Sequence, residues 1–367
     1  MATAPAGVDA AVAELRASVY TVPTDAHESD GTLEWDETTL VLVEATSGDE
    51  TGIGWTYSTP AAAKVVEGEL AGVVVGESAL DVRGLNLAMR RKLRNAGYPG
   101  IGSAAVSAVD VALWDLKARL LELPLVTLLG AAHESVPVYG SGGFCSYSDR
   151  QLSEQLAGWV DEGIPRVKMK VGREPERDLE RVRVARLAVG DETELYVDAN
   201  GAFNAERALR WAEAYASWGV MWFEEPVSSN DVDGLRLVRS RSPAGMDIAA
   251  GEYAYTPDAF RALAGAVDCL QADVTRCGGI TGLLGAAAVA EAFELDLSGH
   301  TAPSIHAHVL CAAPKLRHLE WFHDHVRIER MFFDGFLEPA GGAVHPDRSR
   351  PGLGVDLKRA DAERYVA

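Results

Sequence analysis

Acidic side chains close several short apolar segments in the second half of the sequence, and they are suited to binding a metal ion. Three of these segments end in Asp198, Glu224 and Glu252. Three carboxylates brought to one point repel one another, and a hard divalent cation removes that penalty. Ligation by oxygen alone favours Mg²⁺ over zinc and leaves open positions for a substrate carboxylate and a neighbouring oxygen. Glu225 competes with Glu224, because only one of two adjacent strand residues faces inward.

Groups that can move protons lie in other segments. Asp273 and His300 suit a carboxylate–imidazole pair, in which the acid fixes the tautomer and raises the basicity of the ring. Lys168 and Lys170, in the stretch "PRVKMKVG", supply amines. We expect the charge of Lys168 to lower the pKa of Lys170 towards that of a useful base. Glu320 is expected to stay protonated in a dry site and to donate a hydrogen bond.

These groups fit one class of reaction, the removal of a proton α to a carboxylate. Loss of that proton leaves an enediolate, whose two negative oxygens Mg²⁺ would stabilise. Lys170 and His300 lie on the second and the seventh of eight segments, on opposite sides of a barrel, so a substrate held over the cation would meet one base on each face.

A repeating pattern of strands and helices must position these residues. Short β-rich runs alternate with amphipathic stretches from about residue 136, which indicates a parallel sheet, and eight runs favour a closed (β/α) barrel. Neither face of a barrel strand meets bulk water, and Val167, Met169 and Val171 suit the face against the helices. Lys168 and Lys170 are therefore expected to point inward. The eight runs are 136–141, 166–172, 194–200, 220–226, 247–252, 268–274, 295–300 and 318–322.

The first third of the chain mixes strands and helices. Residues 40–45 predict a strand, and residues 104–121 predict a long helix that Ser103 would cap. Two polar or glycine-containing stretches, at about 20–37 and at 51–58, are candidate loops of a lid that excludes water from the site.

Composition excludes several classes of protein. The net charge of -20 argues against nucleic acid or an anionic membrane as the main partner. No apolar run is long enough to cross a membrane, and no secretory signal is recognisable, so we expect a cytoplasmic protein. The four cysteines have no paired spacing and are expected to be reduced thiols; they are Cys145, Cys269, Cys277 and Cys311.

Over nearly its whole length the sequence resembles the enolase superfamily, and within it the mandelate racemase subgroup of the mandelate racemase and muconate lactonizing enzyme family. This resemblance implies a modified TIM barrel, (β/α)₇β, at 131–333. It also implies an α+β N-terminal capping domain at 1–130, completed by a C-terminal segment at 334–367. The motifs are "SAVDVALWDLKARLLELPLVTLLG", Lys168-Met169-Lys170, Asp198-x-Asn200, Glu224-Glu225-Pro226, Gly251-Glu252, "ADVTRCGGITG", His300 and Glu320.

The resemblance also implies roles for single residues. One Mg²⁺ per subunit would be bound by Asp198, Glu224 and Glu252, which selects Glu224 over Glu225. Lys170 would be one base, and the His300–Asp273 pair the other. Contacts with the substrate are expected from Lys168, Glu320, Asn200 and Ser141. Asp273 stands where muconate cycloisomerases have a lysine, which favours the mandelate racemase subgroup.

Two outcomes are open to a pair of bases. We favour dehydration of an acid sugar, an aldonate or an aldarate, to a 2-keto-3-deoxy acid. The alternatives are a racemase or epimerase of a 2-hydroxy acid and a catalytically silent sugar-acid-binding protein. Polar lid residues suit a polyhydroxylated small-molecule carboxylate, whereas Trp35 and Trp55 would offer aromatic contact. We expect a homo-oligomer, from dimer to octamer. The polar lid residues are Asp25, His27, Glu28 and Asp30.

Overall fold

A three-stranded antiparallel sheet opens the computed structural model, which describes residues 10–367. Its strands are β1 (Glu14–Ser29), β2 (Glu34–Ser47) and β3 (Glu50–Tyr57). The predicted strand at 40–45 lies inside β2 and is confirmed. The two stretches predicted as lid loops are instead mostly strand, because β1 and β2 form a long hairpin and residues 51–57 pair with β2.

Helices cover one side of this sheet, and the longest of them, α4, is almost entirely buried. The predicted cap was wrong: α4 starts after Gly100, whose φ is 87°, and the Ser103 hydroxyl inside the helix donates to the Arg276 carbonyl at 2.5 Å. The helices are α1 (Ala61–Val65), a π-helical turn (Val66–Leu70), α2 (Ala71–Val74), a 3₁₀ turn (Ala79–Asp81), α3 (Val82–Lys92), α4 (Ile101–Leu120) and α5 (Leu125–Leu129).

Eight parallel strands then form a closed barrel in sequential order, because the last of them pairs with the first. This confirms the predicted barrel with its capping layer. The strands are β4 (Val136–Gly142), β5 (Arg166–Lys170), β6 (Glu194–Asp198), β7 (Val220–Glu224), β8 (Asp247–Ala250), β9 (Cys269–Ala272), β10 (Asp296–Gly299) and β11 (Leu316–Phe322).

Amphipathic helices connect these strands and pack around the barrel. They are α6 (Asp149–Asp161), α7 (Pro175–Val189), α8 (Ala205–Ala216), α9 (Val232–Arg241), α10 (Pro257–Leu263), α11 (Gly279–Ala292), α12 (Pro303–Val309), a 3₁₀ turn (Leu310–Ala312) and, after β11, α13 (His323–Phe332). No helix within residues 10–367 combines the length and the apolar character needed to cross a membrane.

Alternation along β5 sends Lys168 and Lys170 into the barrel, where both are buried. Lys170 is in register with Asp198 on β6, and Asp198 is in register with Glu224 on β7. The layer below these polar groups is filled by a separate buried cluster, which consists of Tyr139, Tyr196, Trp222, Ala249 and Cys269. The strand register therefore places charged groups side by side above an aromatic floor.

The C-terminal segment contacts both layers. Strand β13 (Ala343–Val344) pairs with the start of β4 in the barrel. In the capping layer, Arg359 forms an ion pair with Glu44 on β2, and the backbone N–H of Ala367 donates to the Val19 carbonyl at 3.1 Å. The four cysteines are free thiols. The elements of this segment are β12 (Phe333–Asp334), β13 (Ala343–Val344), β14 (Asp356–Leu357), α14 (Arg359–Ala362) and a 3₁₀ turn (Glu363–Tyr365).

Candidate active site

Three buried carboxylates converge at the carboxyl end of the barrel. Asp198, Glu224 and Glu252 each offer one oxygen, and these oxygens lie within 4.8 Å of one another. We call these residues the carboxylate triad. Oε2 of Glu252 is buried and makes no well-directed hydrogen bond, which leaves an oxygen available to a ligand. A set of oxygen donors out of contact with water fits a hard divalent cation such as Mg²⁺.

The chain turns sharply after each of these strands. Gly251, with a φ of 140°, leads into Glu252, and a Cβ at this position would lie 2.2 Å from the Gln271 carbonyl oxygen. Only glycine fits this close approach. The Trp222 indole donates to Glu224 Oε2 at 3.0 Å, and the backbone N–H of Asn200 donates to Asp198 Oδ1 at 2.8 Å. Hydrogen bonds from residues at the same strand ends thus hold Glu224 and Asp198 in place.

The structure places Glu225 outside the triad. Its side chain is buried, Oε1 has no hydrogen-bond partner, and burial followed by the charge of Glu252 raises its pKa well above the ordinary range. Asn200 lines the cavity above the triad, and its Oδ1 is buried without a partner. Both are polar groups whose bonding capacity is unused.

The two lysines approach the triad from β5. Lys170 Nζ donates to Asp198 Oδ2 at 2.6 Å, and Lys168 Nζ donates to Glu224 Oε1 at 2.6 Å. The net shift of the Lys170 pKa is upward, although Lys168 lowers it as expected. Burial alone would lower the pKa, and Lys168 lowers it further, but the Asp198 carboxylate outweighs both and raises it.

Glu320 differs from the sequence prediction in its charge. Burial favours the protonated form, but Lys168, His300 and Lys170 outweigh it and lower the pKa of Glu320 to about 2. Lys168 Nζ lies 2.8 Å from Glu320 Oε1, which also accepts from the Ser141 hydroxyl at 2.6 Å. Glu320 is therefore a carboxylate here, and the predicted neutral donor was wrong because an amine lies in contact with it.

His300 and Asp273 form the predicted pair, with 2.7 Å between His300 Nδ1 and Asp273 Oδ2. The other ring nitrogen, Nε2, lies 3.1 Å from Glu252 Oε2 and 3.4 Å from Glu320 Oε2. Burial lowers the pKa of His300, but the charges of Glu252 and Glu320 and the bond to Asp273 raise it to about 10. The imidazole is thus held as a cation that faces the triad.

Arg276 joins the triad to this pair. Its Nη1 lies 3.3 Å from Glu252 Oε1, and its Nε lies 3.3 Å from Asp273 Oδ2. The guanidinium also lies over the Tyr253 ring, at 5.0 Å from its centroid. Sequence reasoning quoted Arg276 within a motif but gave it no role, although its position three residues after Asp273 was a signal.

His306 is a second residue that sequence reasoning missed. The Val274 amide donates to His306 Nε2 at 3.2 Å, so Nδ1 carries the proton and donates to the Thr301 carbonyl at 2.7 Å. Val274 follows Asp273 and Thr301 follows His300, so His306 ties together the two turns that present the pair. It lies six residues after His300, a spacing that carries no signal without the fold.

A cavity of about 260 Å³ lies above these groups. Barrel residues such as Lys170 and His300 form its floor, and capping-domain residues, including Trp35 and Tyr57, close it from above. Trp55, the other predicted aromatic contact, is instead buried and donates to Glu329 Oε1 at 3.1 Å. The capping layer therefore covers the site with strands.

A barrel closed at its carboxyl end by a separate α+β layer, with three converging carboxylates at the mouth, has the architecture of the enolase superfamily. Residues 17–130 match the mandelate racemase / muconate lactonizing enzyme N-terminal domain, and residues 151–362 match the enolase C-terminal domain-like family. The chain therefore belongs to the mandelate racemase / muconate lactonizing enzyme family, as its sequence motifs predict.

Several characterised proteins are similar to this chain. The 3,6-anhydro-alpha-L-galactonate cycloisomerase of Streptomyces coelicolor is 31% identical, over 95% of this chain and 98% of the relative. The L-talarate/galactarate dehydratase of Salmonella typhimurium is 32% identical, over 90% and 83%. A crystal structure of an L-talarate/galactarate dehydratase mutant, liganded with Mg and L-glucarate, has a TM-score of 0.90 at 27% identity and covers 100% and 96% of the two chains.

A solved structure with higher identity is a mandelate racemase/muconate lactonizing enzyme-like protein from Rubrobacter xylanophilus. It is 57% identical, has a TM-score of 0.96, and covers 97% of this chain and 100% of its own. Relatives that span nearly the whole chain thus include both a dehydratase and a cycloisomerase of sugar acids.

Proposed function

We propose that this enzyme uses Mg²⁺ to remove the proton α to the carboxylate of an acid sugar, and that it dehydrates an aldonate or an aldarate to a 2-keto-3-deoxy acid. One observation carries the proposal. Two proton-transferring groups contact the two ends of the triad, Lys170 at Asp198 and the His300 ring at Glu252. A substrate between them would meet a proton-transferring group on each side.

The residues present fit the cation. Asp198, Glu224 and Glu252 would hold Mg²⁺, since their oxygens lie close together in a buried site. The bound ion would act as a Lewis acid that stabilises negative charge developing on the substrate carboxylate. Lys168 and the Ser141 hydroxyl lie beside the same space and would orient that carboxylate.

The proton transfers follow from the placement of the two groups. The contact that raises the pKa of Lys170 would weaken once Asp198 binds a cation, and the neutral amine then takes the α-proton. The electrons of the broken C–H bond form a C=C bond as the β-carbon–oxygen bond breaks. His300 gives its Nε2 proton to the departing hydroxyl, which leaves as water. The enol that remains gains a proton at the β-carbon and loses the proton of its 2-hydroxyl, which gives the 2-keto-3-deoxy acid.

Racemisation or epimerisation is the second candidate, and the same placement supports it. If no hydroxyl departs, the group opposite the abstracting base returns a proton to the other face of the α-carbon. Both outcomes begin with removal of the α-proton, so they share the first step and differ in what is released.

The two candidates are separated by following the α-proton and the products together. We would incubate the Mg²⁺-loaded enzyme in D₂O with a panel of aldonic and aldaric acids, record proton NMR spectra, and assay 2-keto acids with semicarbazide. Exchange with formation of a keto acid supports dehydration. Exchange with inversion and no keto acid supports the second candidate. Absence of exchange with every acid would favour a binding protein without activity and overturn the proposal.

A further inference from the structure

The cavity above the triad has two halves of different origin. Barrel residues, including Lys170, Arg276 and His300, form an inner half, and the capping domain with α13 forms an outer half. An acid sugar with its reacting carboxylate over the triad must extend its hydroxylated chain into the outer half. The outer half includes Trp35, Glu37, Thr38, Ser58, Asp324 and His325.

The cationic groups of the inner half already have acidic partners. Lys170 is bonded to Asp198 at 2.6 Å, and Arg276 lies 3.3 Å from both Glu252 and Asp273. These groups, together with a metal ion, would contact the reacting end of the substrate. None of them is left to neutralise a second carboxylate several carbons away.

The outer half carries a fixed negative group instead. Asp324 is fully buried, and its Oδ2 accepts hydrogen bonds from the Thr38 hydroxyl at 2.8 Å and from the Trp35 indole at 3.4 Å. The same indole donates to Glu28 Oε2 at 2.9 Å. Glu28 is thus a second carboxyl held against Asp324.

Glu28 shows what this environment does to an added carboxylate. Burial, and then the charge of Asp324, raise the pKa of Glu28 to about 9, so it stays protonated at neutral pH. Glu28 is not itself part of the cavity lining, but it shares the Trp35 indole with Asp324. The second carboxylate of a dicarboxylic substrate would face the same repulsion from Asp324.

Basic side chains near this wall place no free cation in the cavity, although Arg327 offsets part of the charge of Asp324 from outside it. Arg327 is bonded to Asp324 and to the Pro23 carbonyl, and it is not part of the cavity lining. His325 lines the cavity, but it stacks on Tyr57 with 3.3 Å between ring centroids, and burial lowers its pKa well below the ordinary range. Within residues 10–367, the cavity lining thus offers no cation without an acidic partner.

A neighbouring cavity of about 690 Å³ leads to the same conclusion. It shares Leu33, Asn200 and Tyr253 with the first cavity. Its lining adds the acid Glu225 and neutral polar residues, and it includes no lysine, arginine or histidine. A substrate chain that turned this way would also find no positive charge.

We infer that the substrate has a single carboxylate, the one held over the triad, and that the rest of its chain is neutral and hydroxylated. This makes it an aldonate-type acid, with Asp324 as the residue that excludes aldarates. The inference rests on the proposed function and narrows its substrate class. Neutral hydroxyl groups suit the outer half. Asp324 can accept hydrogen bonds from them, and the Thr38 hydroxyl can donate or accept.

The test compares acids that differ only in the second carboxylate. The Mg²⁺-loaded enzyme would be assayed in D₂O for α-proton exchange and for keto acid with D-gluconate against D-glucarate, and with D-galactonate against galactarate. Further pairs of aldonates and matching aldarates from four to six carbons extend the panel. We expect kcat/KM for the best aldonate to exceed that for its aldarate by about 100-fold, as an unfavourable buried charge contact predicts.

Variants assign that preference to a residue. Asp324→Asn removes the charge and keeps the shape, and we expect it to reduce the preference for the aldonate about 10-fold. Ser58→Lys places a cation in the outer half and should raise kcat/KM for the aldarate to a similar degree. Asp36→Asn is the matched control, because Asp36 is an exposed acid of the β1–β2 hairpin that is not part of the cavity lining.

The outcomes separate this inference from the proposed function. Exchange with aldarates at rates equal to or above those with aldonates overturns the inference and leaves the proposed function intact. An unchanged preference in both Asp324→Asn and Ser58→Lys removes Asp324 as its cause. If no aldonate or aldarate exchanges its α-proton, both the inference and the proposed function fail.

Discussion

Lys170 and His300 contact opposite ends of one set of carboxylates. Lys170 Nζ lies 2.6 Å from Asp198, the first member of the triad along the chain, and His300 Nε2 lies 3.1 Å from Glu252, the last. Under the proposed function, acid–base chemistry and metal binding would thus use the same acidic groups. Variants that separate the two functions are therefore the most informative.

Loss of either proton-transferring group should stop turnover without removing the metal. We expect Lys170→Ala and His300→Asn each to lower kcat by about 10³-fold, since a positioned acid or base contributes on the order of 10²–10⁴-fold. Isothermal titration calorimetry should still detect Mg²⁺ binding in both variants. Lys92→Ala, at an exposed lysine, is the control. Near-normal activity in either site variant would contradict the assignment of the two bases.

Adjacent glutamates provide a matched test of the metal site. Glu224→Gln should abolish Mg²⁺ binding and activity, because it removes one triad carboxylate, whereas Glu225→Gln should retain Mg²⁺ binding. Both side chains are buried, so the two variants should share any general effect of replacing a buried carboxylate. Calorimetric titration with Mg²⁺ reports the difference. Equal losses in the two variants would mean that the triad has been misassigned.

Arg276 is expected to act as a positioning residue. Arg276→Met leaves Glu252 and Asp273 without their shared guanidinium, so we expect kcat to fall about 10- to 100-fold with a smaller change in KM. The pH profile of kcat should shift in the same variant, because the charge next to the His300–Asp273 pair changes. Arg276→Lys should recover part of the activity. An unchanged pH profile would leave Arg276 with a purely structural role.

His306 should make stability depend on pH. Burial lowers the pKa of His306 from 6.5 to about 4, so the folded protein keeps it neutral while the unfolded chain binds a proton below pH 6.5. The unfolded state therefore holds more protons between pH 6.5 and 4, and stability falls as the pH is lowered through that window. The contribution is at most about 3 kcal/mol.

Urea unfolding at several pH values measures this effect. The free energy of unfolding of His306→Asn should fall less steeply from pH 6.5 to 4 than that of the unaltered protein. His308, whose pKa is also lowered to about 4 by burial, supplies a remaining slope. His27→Asn, at a half-exposed histidine, should match the unaltered protein. Identical slopes in all three proteins would rule out this role for His306.

The barrel was predictable because each strand is a short apolar run with a polar residue at its end. The period of two along residues 166–170 placed Lys168 and Lys170 on one face, and the barrel inferred from the eight runs directed that face inward. We predicted a loop at about 20–37, where the structure has the hairpin of β1 and β2. One face of an antiparallel sheet can be exposed to water, so its strands can be rich in polar residues. Polarity alone does not separate an exposed strand face from a loop.

Side-chain charge was harder to predict than position. The pKa of Lys170 and that of Glu320 both depend on which opposite charge lies in contact, and spacing along the chain does not give those contacts. Arg276 and His306 were missed for the same reason, since each acts between segments that only the fold brings together.

The bond from the Trp222 indole to Glu224 gives the protein an internal optical probe. Indole emission responds to the charge and polarity of its immediate surroundings, and this ring shares a carboxylate with the cation site. Occupancy of the site should thus change the intrinsic tryptophan fluorescence, without any label or substrate, and Trp222→Phe should remove that change.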